Sequence, residues 1–341
     1  MGFRIQKSIR LGKLLRLNIS KSGIGISAGI PGLRIGTGPR GAYFSAGLPG
    51  TGLSYRQKIS SNRKADSADL STKTKAQVAP PETPSPGFFA PRHEKELAKG
   101  LEDYEAGQED AALEHFLAAA PDEPGAAILA ATILAEREGG EYQAIELLEG
   151  VVQSDGEFPT PLMEKYLAST EIDINVTPNV NVSVPVDGLA ATLLLVELYQ
   201  SNRRVREAIA LLEEVAELAN EPVLILSLCE LYASREIWDG IIDRARQVEP
   251  VDDVTLEIVI YYGRTMQEKG LHEAAISVFS KALRKKKDRN PQLLREAAYW
   301  RAISYQEQGK RSQAQKEFEL LYAEDPNFRD VAQRLADFSL R

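Results

Sequence analysis

"YYGRTMQEKGLHEAAISVFSKAL", residues 261–283, carries the pattern from which the rest of the chain is read. Gly263 and Gly270 are followed by Ala275, Phe279 and Ala282. A small residue with a large one a helical turn later lets two paired helices approach and interlock. The small position recurs as Ala112, Ala144, Ala208, Gly240 and Ala314, and four residues after each stand Phe116, Leu148, Leu212, Arg244 and Phe318. Recurrence at about 32–39 residues predicts helical pairs over 93–341 that bury their faces only by stacking, an all-α solenoid.

One interval is too long. Between Ala144 and Ala208 there is room for an extra half-repeat, about 159–170, and for "EIDINVTPNVNVSVPV", residues 171–186. Apolar residues alternate with polar ones on both sides of Thr177-Pro178-Asn179. That alternation predicts a β-hairpin insert at about 171–187. Its edge, with Ile174, Val176, Val180 and Val182, is a candidate for adding a strand from a partner or a second copy. The competing reading folds the hairpin over the array's own surface, with Pro185 blunting the edge.

Residues 1–58 follow a different rule. Phe3 and Ile5, Leu15, Leu17 and Ile19, Ile24 and Ile26, Leu33 and Ile35, and Leu53 and Tyr55 alternate with polar or small residues. Turn pairs such as Ser22-Gly23, Pro31-Gly32 and Pro49-Gly50 separate them, which predicts a small glycine-rich antiparallel β-sheet module. "SAGIPG" at 27–32 returns as "SAGLPG" at 45–50. The string Gly36-Thr37-Gly38-Pro39-Arg40-Gly41 has the spacing of a phosphate-binding loop, but such a loop must open a helix whose N-terminal amides hold the pyrophosphate. Here the chain re-enters a strand pattern, so the string reads as a turn. Residues 59–92 are a Pro/Ser-rich linker.

Charge separates these regions. The chain carries a net −8, yet residues 1–65 hold 12 Lys and Arg and no acid, leaving 29 of the 41 basic and all 49 acidic residues to 66–341. Arg4, Arg16, Arg34 and Arg56 share a parity opposite to the apolar residues, giving a cationic face over glycines. That face is a candidate for docking on the acidic helical region or on another protein. Nucleic acid or anionic lipid is less favoured, since Tyr43, Phe44 and Tyr55 offer few rings for base stacking.

Several classes of function lack their signatures. His93, His115, His272 and Cys229 share no metal-ligand spacing, and no nucleotide loop, nucleophile elbow or H-E-x-x-H motif occurs. No enzyme and no cofactor are expected. The longest apolar run, Leu189–Tyr199, is short for a membrane span and is broken by Thr192 and Glu197. With no secretory signal pattern, a cytoplasmic protein is expected.

In the helical region Gly100, Ala112, Phe116, Ala119 and Pro124, then Gly263, Gly270, Ala275, Phe279 and Ala282, then Ala302, Gly309, Ala314, Phe318 and Pro326 fall at one spacing. That spacing resembles the tetratricopeptide repeat (TPR) family. The resemblance implies a protein–protein interaction scaffold whose first helices project Arg264, Gln267, Glu268, Gln306 and Glu307 into a groove. Members that grip a terminal carboxylate place Asn and Lys on the inward positions. Here those positions are Leu101, Ile133, Glu197, Cys229, Arg264 and Ile303, so that clamp is not expected. The first region, with "MGFR" at 1–4, "RLNISKSG" at 16–23 and "GLPGTGLSYR" at 47–56, is similar to a short bacterial domain of unknown function. That likeness implies a bacterial source and no activity.

Overall fold

The computed structural model describes residues 84–338 with their side chains, save Asp155, Glu157 and Asn220, and the backbone of Ser339. Before residue 84 it describes strand backbone alone. The segments β1 (Lys7–Leu11), β2 (Leu15–Ser20), β3 (Gly23–Ile30), β4 (Leu33–Gly38), β5 (Gly41–Leu48) and β6 (Leu53–Lys58) are successive antiparallel neighbours. Gly38 stands opposite Gly41 between β4 and β5, so Gly36, Gly38 and Gly41 all lie on strand backbone.

The chain divides into two compact units. Unit 1 (1–175 and 182–208) contains α1 (Arg92–Glu105), α2 (Glu109–Ala119), α3 (Pro124–Leu134), α4 (Glu141–Val152) and α5 (Gly188–Ser201). It also holds the strands β7 (Glu171–Asn175) and β8 (Asn181–Pro185), apart from Asn181, and the start of α6 (Val205–Leu218). In place of a half-repeat at 159–170 there is a single helical turn, π-wound over Met163–Leu167. The hairpin forms where the alternation places it. Asp187 caps α5 by accepting from the amides of Leu189 (2.9 Å) and Ala190 (3.2 Å).

Unit 2 (176–181 and 209–341) contains the hairpin tip, the rest of α6, and α7 (Pro222–Ser234), α8 (Trp238–Ala245), α9 (Asp253–Glu268), α10 (His272–Ala282), α11 (Pro291–Glu307), α12 (Arg311–Glu324) and α13 (Val331–Ser339). The first helices α7, α9 and α11 stand side by side, each with its second helix against it. A capping box of Asp252 and Thr255 starts α9, and Asn290 caps α11 ahead of Pro291. The short α13 closes the stack, setting Leu335 and Phe338 against a cluster containing Tyr299, Phe318 and Phe328.

The small-to-large rule operates inside each pair. Ala112, Ala144, Ala208, Ala275 and Ala314 are fully buried, as are Leu148, Leu212, Phe279 and Phe318. A Cβ on Gly263 would lie 2.5 Å from the Phe279 ring, and one on Gly100 would lie 2.6 Å from Phe116. The α7/α8 pair departs from the rule. Five and nine residues after its left-handed residue, Glu236, where the other second helices carry the small and the large residue, stand Ile241 and Ala245, both buried. Gly240 and Arg244 thus lie one residue short of those positions. There Gly240 on the second helix takes in Tyr232 from the first, at 2.7 Å from a Cβ built on the glycine. The Tyr232 hydroxyl donates to Glu213 at 2.6 Å. Arg244 is left half-buried at the rim.

Every turn from a first to a second helix also needs one left-handed residue. Gly107, Gly139, Gly270 and Gly309 supply it in four turns, while Arg203 (φ 62°) and Glu236 (φ 60°) do so in the other two. In five of the six, the next amide donates five residues back, as Leu271 does to the Met266 carbonyl at 2.8 Å. That bond belongs to the Schellman ending and satisfies a carbonyl the helix leaves open.

Candidate binding face of the first helices

In unit 2, α9 and α11 present a row of polar and aromatic groups. Capping fixes where each helix begins, and stacking of first helix on first helix then fixes which residues become neighbours. Glu257 is 5% exposed although it lies within the apolar run Leu256–Ile260. Both its oxygens are engaged. Thr177 Oγ1 donates to Oε2 at 2.5 Å and Asn179 Nδ2 donates to Oε1 at 3.0 Å. Both donors come from the hairpin tip. Burial raises the Glu257 pKa, and those two hydrogen bonds hold it down. On α7, burial and then the Glu257 carboxylate push Glu230 up to about 7. Burial carries the Tyr261 hydroxyl well above its ordinary value.

One turn along, the Arg264 guanidinium lies 4.7 Å from the Trp300 ring and 5.8 Å from that of Tyr261. Gln267 Nε2 donates to the Trp300 carbonyl at 2.8 Å and to Ser304 Oγ at 2.7 Å, tying α9 to α11. Glu296 takes a fork from Arg329, with Nη2 at 2.7 Å from Oε2 and Nε at 3.1 Å from Oε1, and accepts from Trp300 Nε1 at 3.2 Å. The face is therefore ordered by its own contacts before any partner arrives.

The groove residues named from sequence divide into two kinds. Arg264 and Gln267 are committed to Trp300, and Gln306 Oε1 accepts from Arg334 at 3.3 Å. Glu268 and Glu307 are exposed. Of the hairpin positions, Ile174 and Val180 are buried while Val176 and Val182 are half-buried. Arg4 lies outside the described residues, as does most of the linker, and of Arg16, Arg34 and Arg56 only strand backbone is described. Sequence reasoning missed Glu257, Glu230, Trp300 and the donors Thr177 and Asn179. A carboxylate amid Leu256, Ile258, Val259 and Ile260 was the available signal for the first.

Cys229 is buried and its thiol is pushed up to about 12, which keeps it protonated and unreactive at neutral pH. Among the described residues no group of three or more His, Cys, Asp or Glu side chains could hold a metal ion. Among them also, no helix is long and apolar enough to cross a membrane.

Residues 3–56 match the family described as a protein of unknown function, DUF4236. Residues 181–341 match the N-terminal domain of the T7SS, ESX-1 secretion system protein EccA1. Among curated proteins none matches the sequence. Of solved structures, the N-terminal domain of the EccA1 ATPase from the ESX-1 secretion system of Mycobacterium tuberculosis is similar, at 19% identity over 73% of this chain and 90% of that one, with a TM-score of 0.51. YrrB, described as a TPR protein with an unusual peptide-binding site, aligns at 13% identity over 64% of this chain and 96% of its own, with a TM-score of 0.43. MamA from AMB-1 aligns at 17% identity over 61% and 95%, with a TM-score of 0.38. The chain thus joins an N-terminal segment that matches the DUF4236 model to a helical array similar in fold to the EccA1 N-terminal domain.

Proposed function

We propose that the protein is a non-catalytic scaffold whose helical array, residues 93–341, binds a protein partner along its first helices. The observation that carries this reading is the row Glu257, Tyr261, Arg264 and Trp300, which offers carboxylate, phenol, guanidinium and indole groups on adjacent helices. Rigid rows of this kind hold extended segments at low entropic cost. Residues 1–58, in this reading, are a basic sheet module joined by the linker 59–92, and the module docks on an anionic surface, the acidic helical region first among them. The strand register supports it. Arg16 is paired with Ser27, Ser27 with Gly36, Arg34 with Ser45, and Ser45 with Arg56, so the three arginine positions keep one parity. A second reading takes the same arginines, with Arg4, as a site for nucleic acid or anionic lipid. The excess of 12 basic residues without an acid in 1–65 favours keeping it.

Affinity capture from a bacterial lysate tests both, using the full chain, a chain carrying Arg16→Glu and Arg34→Glu, and a chain carrying Arg264→Glu and Gln267→Ala. A protein lost with the α9 substitutions and kept with the arginine reversals supports the scaffold. Cargo lost with the arginine reversals and with nuclease moves the function to nucleic acid.

A further inference from the structure

The hairpin tip is more than a turn between two strands. Thr177 and Val180 are each only 4% exposed, buried within unit 2. Thr177 and Asn179 together satisfy both oxygens of Glu257, and the Asn290 side chain donates to the Asn179 carbonyl at 2.8 Å. The tip is pre-shaped for this. Thr177 Oγ1 accepts from the amides of Asn179 (3.2 Å) and Val180 (3.0 Å), and the Val176 amide donates to the Val180 carbonyl at 3.0 Å. A side chain that accepts two amides of its own turn fixes that turn's shape before it meets anything else. Its remaining hydroxyl hydrogen is then aimed outward, at the carboxylate.

The contact is that of a ligand in a site. A short preformed turn presents two neutral donors, two residues apart, to one buried carboxylate at the start of a first helix. Hydrogen bonds to an ionised acceptor are the stronger kind, and the low dielectric of a buried face strengthens them further. Glu230 on the neighbouring helix α7 lies close enough to feel the Glu257 charge, so the face continues beyond the groups that the tip engages.

We propose that the tip Val176–Asn181 is a built-in, displaceable occupant of the first-helix face. Its natural competitor is a partner segment of the same chemistry: a turn presenting a hydroxyl and a carboxamide donor two residues apart to Glu257. The proposal rests on the scaffold reading and adds to it a closed state, in which the chain occupies its own binding row. A partner must displace the tip, so its apparent affinity falls by the fraction of molecules in which the tip is seated.

The test needs no external partner, so its failure would leave the capture experiment's outcome untouched. The probe is a fluorescent cyclic peptide of residues 171–186, titrated by anisotropy into the full-length protein. Wild type is expected to bind it weakly or not at all. The Thr177→Ala/Asn179→Ala chain should bind it at least about tenfold more tightly, and adding Glu257→Gln should remove the gain. Asn179→Ala alone, which leaves the Thr177 turn intact, should show part of the gain and guards against a misfolded double variant. Equal binding to wild type and tip variants, binding to neither, or a gain that survives Glu257→Gln would each overturn the proposal. Hydrogen exchange gives an independent reading in wild type. The Val176 and Val180 amides should exchange faster than those in the middle of α9, whereas exchange as slow as the α9 interior would make the tip a fixed part of the core.

Discussion

Replacing Glu197 with glutamine should stabilise the protein in alkaline solution and do almost nothing in acid. Glu197 sits in α5 at 7% exposure, and neither carboxylate oxygen has a hydrogen-bond partner among the described residues. Burial alone pushes its pKa up to about 7 from an ordinary 4.5. The folded chain therefore holds this proton more tightly than the unfolded chain does. Below about pH 4.5 both states are protonated and the residue is neutral in effect. As pH rises from there the unfolded state ionises first, and stability falls until the folded state also ionises near pH 7, beyond which the loss is constant. At 1.36 kcal/mol per pKa unit the full loss is about 3 kcal/mol. Glutamine keeps the shape and cannot ionise. Melting curves by circular dichroism at about pH 5 and about pH 8.5, at fixed ionic strength, isolate the effect as the difference between variant and wild type. At about 2–4 °C per kcal/mol for a domain of this size, the gap should open by roughly 6–12 °C at the higher pH and nearly close at the lower. A gap that does not change with pH, or a variant that melts lower at pH 8.5, would refute the reasoning.

Four further outcomes follow from the packing. Phe279→Ala should cost about 3–5 kcal/mol in denaturant unfolding, because the ring is fully buried against Gly263 and the backbone cannot close the space. Glu236→Gly should raise stability by roughly 0.5–1 kcal/mol, since the residue holds φ 60° and glycine removes the side-chain penalty there; a melting temperature that falls would count against that account. Glu296→Ala should cost about 1–3 kcal/mol by leaving the Arg329 fork and the Trp300 indole N–H without their acceptor, and Glu296→Gln should recover part of it. Cys229 should resist a thiol reagent at pH 8 in the native protein and react once denatured, at a rate that follows unfolding.

Much of the architecture was legible because packing of helix pairs leaves a local mark. Small and large residues a turn apart located most of the pairs, and strict alternation around Thr177-Pro178-Asn179 located the hairpin. The weak α7/α8 match has a physical cause: its second helix carries Ile241 and then Ala245 where the others carry a small and then a large residue, and Gly240, one residue earlier, makes room for Tyr232 from the first helix. Likewise Arg203 and Glu236 adopt the backbone that glycine marks elsewhere, which hides two turns from a reading based on residue type. The candidate row was half legible. Arg264 and Gln267 are what the resemblance to the tetratricopeptide family implies, whereas Glu257 acquires its meaning from Asn179 and Thr177, some 80 residues earlier, and Trp300 from its register against α9. Contacts between distant segments leave no periodic signal.

The inverted fit at Gly240 and Tyr232 bears on how such an array can be recombined. In the α9/α10 pair the bulk resides on the second helix and the vacancy on the first, and in α7/α8 these are exchanged. A chimera that moved α10 into the place of α8 would set an alanine where Gly240 stands and press its Cβ into the Tyr232 ring. The reverse graft would take the Phe279 ring away from Gly263 and leave a void there. Duplication, deletion and shuffling can therefore proceed in this chain only by whole hairpins of helices, and a library built by exchanging single helices should yield folded members only where donor and recipient share the same polarity of fit.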